Sequence, residues 1–153
     1  MTHTDLKPEN MLIGSRNQIM LCDFGMGQRG HSGVQWTVVG ELSTLWYRAP
    51  ELLLGCKVFD EKIDEWAIGC TIMEILTGTT MFKGEVGQNF LSQCPEATHR
   101  NFNSDQLQRI LKVAGTPKAL SGFECAKLIK GWPIYERHIE PVVNTFAFFS
   151  FLL

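Results

Sequence analysis

Apolar side chains recur along the chain at the spacings of two short strands and a long helix. Met11–Ile13 and residues 18–22 are apolar runs joined by the turn-forming residues 14–17, and this arrangement predicts a β-hairpin. Residues 63–76 combine the three- and four-residue spacing of a helix with apolar residues on the remaining sides. The pattern predicts a helix that is buried on nearly all sides and that ends at Gly78.

The rest of the chain has weaker patterns. Residues 105–113 predict a second helix with one apolar face and a stop at Gly115, and residues 121–130 form a less regular helix candidate. Residues 25–40 hold five glycines without a clear period, which predicts a long and functional loop. Residues 84–104 are polar and irregular, and we expect them to be an insert.

Composition narrows the class of protein. The 153 residues carry a net charge of −2, with 44% hydrophobic and 20% charged residues, which is typical of one globular domain. Because the chain has neither a basic stripe nor an apolar run of about 20 residues, we expect no nucleic-acid partner and no membrane span. Its five cysteines form no CxxC pair. Free thiols and the absence of a signal-like opening favour the cytoplasm, the nucleus or both.

The candidate chemistry lies in the first 25 residues. Asp5, Lys7 and Asn10 put a carboxylate, an ammonium and an amide on one short polar loop, and Asp23 directly follows the second predicted strand. A carboxylate can accept the proton of a hydroxyl nucleophile, and an ammonium can balance charge on a transferred phosphoryl group. Amide and carboxylate oxygens suit Mg²⁺. Each residue alone would be a surface turn residue, but the combination favours phosphoryl transfer.

Three motifs add a family resemblance. His3-Thr4-Asp5-Leu6-Lys7-Pro8-Glu9-Asn10 resembles the protein kinase catalytic loop H-R-D-L-x-x-x-N, while residues 23–25 and 49–51 resemble the D-F-G and A-P-E motifs. Residues 43–52, 64–70 and 105–117 are similar to eukaryotic serine/threonine kinases of the MAP kinase and cyclin-dependent kinase group. Residues 81–84 and 110–113 lean toward a stress-activated MAP kinase, which the chain resembles within this group. Glu41, Leu45 and residues 52–55 lean toward a cyclin-dependent kinase.

The resemblance implies a nucleotide site with ATP and Mg²⁺ as cofactors. By it, Asp5 is the catalytic base and Lys7 is the catalytic lysine that contacts the phosphate. Asn10 and Asp23 are the magnesium ligands, and Leu12 lies under the adenine ring.

The resemblance also implies a substrate-binding segment that includes Thr44 and Arg48. In the same way, Asp64 holds the catalytic loop and Glu51 has a structural role. The expected partners are protein substrates with a Ser/Thr-Pro sequence, together with an upstream kinase or regulator.

The expected fold is protein kinase-like, a mostly α C-lobe with a short β-hairpin. Residues 1–143 would form a partial kinase domain, interrupted by the insert at 84–104 and followed by an apolar tail at 144–153 that does not resemble the family. We expect the N-terminal β lobe to be absent, because no glycine-rich loop or strand lysine precedes the catalytic loop.

Three substitutions change the expected regulation. Thr4 and Gln28 stand where the resembled kinases have arginine, and Val39 stands at their phosphorylated threonine. Arginines order such loops by pairing with the phosphate, so we expect no phosphorylation switch of this kind.

The resulting prediction is a proline-directed serine/threonine kinase in a truncated, weakly active or inactive form. The alternative is a non-catalytic binding module that competes for the partners of MAP kinases or cyclin-dependent kinases. A third reading is a chain that does not fold stably, because its long apolar helix lacks neighbours.

Overall fold

A computed structural model describes residues 1–31, 33–85, 100–118 and 131–136 of the chain. The helix candidate at 121–130, residues 86–99 of the expected insert and the tail at 144–153 lie outside the described residues. The strands are β1 (Met11–Ile13), β2 (Ile19–Leu21), β3 (Trp36–Thr37) and β4 (Val58–Phe59). The helices are α1 (Pro50–Leu53), α2 (Lys62–Thr77) and α3 (Ser104–Ala114), with 3₁₀ turns at Pro8–Asn10 and Leu45–Tyr47.

The predicted hairpin is confirmed. Strands β1 and β2 pair antiparallel with Met11 opposite Leu21. The turn closes where the Gly14 N–H donates to the Gln18 carbonyl at 2.8 Å, and Asn17 accommodates a left-handed φ of 58°. The hairpin follows the 3₁₀ turn Pro8–Asn10 directly, so it extends the loop that carries Asp5 and Lys7.

The predicted bounds of helix α2 are confirmed, but the prediction that it is buried on nearly all sides is wrong. It ends at Gly78, which has a φ of 71° and donates its N–H to the Glu74 carbonyl at 2.8 Å. One face is buried, with Ile63 and Trp66 at its centre. The opposite face is exposed, and Ile75 and Leu76 each keep 65% of their accessible surface. Periodicity identified the apolar side chains, but it could not show which of them the rest of the chain covers.

Helix α3 is confirmed as a helix with one apolar face. Asn103 caps its first turn by accepting the Gln106 N–H at 2.8 Å, and Gly115 ends it with a φ of 84°. Its buried Leu107 and Ile110 belong to the core that α1 and the inner face of α2 also form. Leu42 and Tyr47, in the segment between β3 and α1, belong to the same core, which therefore supports that segment.

The two two-stranded sheets and three helices of the described residues are consistent with a partial kinase-like fold. The mostly helical lobe that the resemblance implies remains a prediction. None of the described helices has the length and apolar character that crossing a membrane would require.

Candidate active site

Asp64 anchors the loop that carries the candidate catalytic residues. Its carboxylate accepts the backbone N–H of His3 at 2.5 Å and that of Thr4 at 2.9 Å. Asp64 lies in the first turn of α2, where the helix dipole favours a negative charge. Burial raises the pKa of Asp64 above its ordinary value, although the two N–H donors act in the opposite direction. The two bonds hold Thr4 in a left-handed conformation with a φ of 72°.

Asp5 lies at the centre of a compact polar cluster. Its Oδ2 lies 2.8 Å from Lys7 Nζ, while Oδ1 accepts both the N–H and the hydroxyl of Thr44, at 2.8 and 2.7 Å. Lys7 Nζ also donates to Thr44 Oγ1 at 2.7 Å. Burial alone would raise the pKa of Asp5, but the bonds from Lys7 and Thr44 outweigh it and lower that pKa below its ordinary value. The carboxylate is therefore ionised at neutral pH and is surrounded by donors.

Asn10 connects this cluster to the hairpin. Its side-chain Nδ2 donates to the Asp5 carbonyl at 2.9 Å, and its own carbonyl accepts the Cys22 N–H at 3.0 Å. His3 Nε2 lies 2.9 Å from the Cys22 carbonyl, and the His3 ring lies 4.7 Å from that of Phe24. These contacts fix the backbone on both sides of Asp23, which has a φ of 61° and an exposed carboxylate.

Asn10 and Asp23 suit the magnesium role that the resemblance implies. Because Asn10 uses its side-chain nitrogen to bind Asp5, its amide oxygen remains available as a ligand. Across residues 1–31, 33–85, 100–118 and 131–136, no cluster of three or more His, Cys, Asp or Glu side chains could hold a metal ion. Mg²⁺ does not need such a cluster, since it commonly takes one or two protein oxygens together with phosphates and water.

Leu12 lies on β1 opposite Met20 of β2. The two side chains keep 48% and 44% of their surface exposed. They form a partly exposed apolar surface on the hairpin, which is the kind of surface that an adenine ring could contact. The adenine contact of Leu12 remains a prediction.

Arg48 binds the backbone of the candidate substrate segment through several hydrogen bonds. The side chain is buried, and its Nη2 forms a 2.6 Å ion pair with Glu41. Nε donates to the Leu42 carbonyl at 2.9 Å, and Nη2 donates to the Ser43 carbonyl at 2.9 Å. Ser43 has a φ of 61°, a left-handed conformation that a non-glycine residue adopts only when its surroundings impose it. Arg48 supplies part of that constraint.

A cavity of about 270 Å³ opens between the Asp5 cluster and the Arg48 network. Its lining contains two carboxylates, one guanidinium and two hydroxyl side chains. The lining residues are Asp5, Met26, Glu41, Ser43, Thr44, Leu45 and Arg48. The candidate base and the substrate segment therefore share one opening, and a peptide lying along it could present a hydroxyl to Asp5.

Glu51 lies in α1, away from this cavity. No cation pairs with its carboxylate in the part of the chain that the structure describes. Burial raises the pKa of Glu51 to about 7. Its predicted structural role fits a position behind the substrate segment.

Sequence reasoning missed three contacts that shape the site. The Thr4 hydroxyl donates to the Met26 carbonyl at 3.1 Å, and a β-bridge joins Thr2 to Gln28. The threonine in place of arginine thus makes its own bond to the long loop at residues 25–40. Asn101 also binds the substrate segment. None of these contacts has a sequence signal, because each joins residues more than 20 positions apart.

The anchored loop, the hairpin and the ordered substrate segment define the class as a protein kinase. Residues 1–132 match the protein kinase domain family, and the chain belongs to that family.

Two curated relatives are also named as kinases, the first of them as a serine/threonine-protein kinase. The chain is 33% identical to the serine/threonine-protein kinase SSN3 of Scheffersomyces stipitis over 90% of its own length and 30% of the relative's. It is 39% identical to cyclin-dependent kinase 1 of Encephalitozoon cuniculi over 75% of its length and 33% of that relative's. The chain thus spans about a third of the length of these two relatives. Of the two groups that the sequence resembles, the name of the second relative represents the cyclin-dependent one.

A solved structure supports the fold. The chain is similar to a chain in the crystal structure of the yeast RNA Pol II CTD kinase CTDK-1 complex, with a TM-score of 0.71 and 26% sequence identity. The similarity covers 94% of this chain and 44% of the other. The predicted protein kinase-like fold is thereby confirmed for a partial domain.

Proposed function

We propose that this chain carries the base and the metal ligands of an ATP-dependent kinase that phosphorylates serine or threonine in proteins. The observation that carries the proposal is the position of Lys7 Nζ, 2.8 Å from the Asp5 carboxylate and 2.7 Å from the Thr44 hydroxyl. An ionised carboxylate beside a fixed cation, open to a cavity, suits proton removal from a hydroxyl and charge balance on a phosphoryl group.

Each side chain has a defined part in the proposed reaction. Asp5 orients the substrate hydroxyl and accepts its proton, while Lys7 balances the negative charge of the transferred group. Thr44 keeps the Asp5 carboxylate turned toward the cavity through two hydrogen bonds. Asn10 and Asp23 would hold Mg²⁺, which would neutralise negative charge on the phosphates of ATP. The new bond joins the substrate oxygen to the γ-phosphorus, and ADP leaves with the oxygen between its β- and the former γ-phosphorus.

The Ser43 carbonyl supports a preference for proline after the phosphorylated residue. Two Arg48 nitrogens already donate to this carbonyl, at 2.9 and 3.3 Å. A substrate residue that packed against Ser43 would find the carbonyl occupied, and its own N–H would lose a partner. Proline has no N–H, so it would lose nothing at this position.

The test is transfer of labelled phosphate from Mg-ATP to two peptides that differ only in proline or alanine after the serine. We expect the proline peptide to have a kcat/KM about tenfold higher than the alanine peptide. This ratio corresponds to the free-energy cost of leaving the N–H of the alanine unpaired in the complex. Equal rates for the two peptides would exclude the proline preference. Absence of transfer to either peptide would exclude the enzyme form of the proposal for this chain.

A second candidate function is a non-catalytic module that binds the partners of related kinases. The exposure of Leu12 and Met20 favours it, because a nucleotide base held against one open surface would bind weakly. Calorimetry of the chain with Mg-ATP separates the two candidates. Binding in the micromolar range with turnover supports the enzyme. Binding weaker than about 1 mM supports the module, since such affinity leaves only about 4 kcal/mol of binding free energy.

We extend the proposal to partners and location. One relative is named for its dependence on a cyclin, and the structural neighbour was solved as a complex. Of the two expected partners, an upstream kinase or a regulator, a regulatory protein is therefore the one that we propose. The cytoplasm, the nucleus or both remain the proposed location.

A further inference from the structure

Asn101 binds the candidate substrate segment at three points. Its Oδ1 accepts the Leu42 N–H at 2.8 Å, and its Nδ2 donates to the Gly40 carbonyl at 3.1 Å. Its backbone carbonyl accepts from Arg48 Nη1 at 2.9 Å. Asn101 keeps only 3% of its surface exposed, so these bonds are shielded from water. One asparagine thus binds the segment directly and also binds the arginine that supports it.

The contacts of three consecutive residues connect Asn101 to Asp5. The Leu42 N–H binds Asn101, the Ser43 carbonyl binds Arg48, and the Thr44 N–H binds Asp5. Ser43 between them has a left-handed φ of 61°. A short segment fixed at both ends can hold such a conformation, whereas a segment with one free end would relax to a more common one.

We propose that Asn101 is a positioning residue for peptide substrates. It fixes the Gly40–Leu42 end of the segment, and it thereby keeps Ser43 in the conformation that lines the cavity. This inference rests on the proposed kinase function, but it makes a separate claim about the shape of the peptide site. Loss of the asparagine should weaken peptide binding and leave nucleotide binding unchanged, because its bonds go to Gly40, Leu42 and Arg48 and not to Asn10 or Asp23.

Asn103 provides a matched control. It is equally buried and lies two residues away, but its side chain binds the Gln106 N–H and the Glu85 carbonyl instead of the substrate segment. Substitution of either asparagine by leucine removes two side-chain hydrogen bonds from a buried position. A difference between Asn101→Leu and Asn103→Leu therefore reports on the substrate segment and not on general destabilisation.

The experiment uses the full 153-residue chain and a fluorescent Ser-Pro peptide. We expect Asn101→Leu to weaken peptide binding about tenfold, in line with the loss of two buried hydrogen bonds. It should also accelerate hydrogen exchange at the Leu42 amide. Asn103→Leu should leave both properties at the wild-type level.

A second variant tests the inference if Asn101→Leu does not fold. Asn101→Asp keeps an acceptor for the Leu42 N–H and removes the donor to the Gly40 carbonyl. It should keep Leu42 protected and still weaken peptide binding.

Two outcomes would overturn the inference. One is a peptide affinity of Asn101→Leu equal to that of the wild type. If Asn101→Leu does not fold, the same comparison is made with Asn101→Asp. The other is an equal loss of affinity in Asn101→Leu and Asn103→Leu. If peptide binding falls only in the Asn101 variants while no form of the chain transfers phosphate, the positioning role stands and the proposed catalytic function fails.

Discussion

Thr44 binds one carboxylate oxygen of Asp5 through two of its atoms. The backbone N–H lies 2.8 Å and the hydroxyl 2.7 Å from Asp5 Oδ1, across 39 positions of sequence. This pair joins the loop that carries the candidate base to the segment that lines the peptide cavity. The two halves of the proposed site are therefore joined directly by hydrogen bonds.

The pKa of Asp5 should depend on Lys7. Because the Lys7 and Thr44 bonds lower that pKa, the substitution Lys7→Met should raise it by removing a cation at 2.8 Å. A ¹³C carboxyl titration by NMR measures the change directly. Asp105, whose lowered pKa comes from a separate pair with Arg109, serves as an internal control and should titrate as before. An unchanged Asp5 titration in Lys7→Met would show that the pair does not persist in solution.

Asp64 should contribute to stability through its two N–H donors from His3 and Thr4. Asp64→Asn keeps one acceptor and turns an NH₂ group toward the other N–H, so we expect the free energy of unfolding to fall by about 1–3 kcal/mol. Urea denaturation measures this change. The exposed neighbour Glu65 lies in the same turn of α2, and Glu65→Gln should change the free energy by less than about 0.5 kcal/mol. Similar effects of the two substitutions would contradict the anchoring role of Asp64.

Because of Glu51, the free energy of unfolding should fall as the pH rises. Its pKa in the folded chain is about 7, against an ordinary value of 4.5, so the folded state holds a proton that the unfolded state releases. The stabilisation is fully present below about pH 4.5 and is lost as the pH rises through about 7, by at most about 3 kcal/mol. Glu51→Gln should remove this slope and be more stable than the wild type at pH 8. Parallel pH profiles of the two forms would contradict the assignment.

The two faces of α2 should respond differently to substitution. Ile63 is buried, and Ile63→Ala should lower the free energy of unfolding by about 2–5 kcal/mol. Ile75 is largely exposed, and Ile75→Ser should change it by less than about 0.5 kcal/mol while reducing self-association at high concentration. Chemical denaturation and light scattering measure the two effects. A large destabilisation by Ile75→Ser would show that the outer face is covered in solution.

The sequence was informative where the contacts are local. Hairpin β1–β2 and helices α2 and α3 follow from apolar spacing and turn residues, since each is closed by bonds between near neighbours. The outer face of α2 was wrongly predicted to be buried, because spacing records the side chains and not their distant neighbours. Strands β3 and β4 hold two residues each, which is too few for any period to be visible.

In the candidate site, too, the sequence predicted the local contacts and not the distant ones. Asp5, Lys7 and Asn10 lie within six positions, so their proximity could be expected from the chain itself. Family resemblance put Thr44 in the substrate segment, but its approach to Asp5 was not predicted, since no spacing rule reaches across 39 residues. Asn101 carried no signal, because a single asparagine before a helix resembles any polar loop residue.

The central claim is that Asp5 takes the proton of the substrate hydroxyl in a phosphoryl transfer. The most direct measurement compares single-turnover phosphate transfer from Mg-ATP to a Ser-Pro peptide by the wild type, Asp5→Asn and the exposed control Glu65→Gln. We predict a rate about 10²–10⁴ lower for Asp5→Asn, with unchanged Mg-ATP affinity and a wild-type rate for Glu65→Gln. Equal transfer by Asp5→Asn and the wild type would contradict the claim.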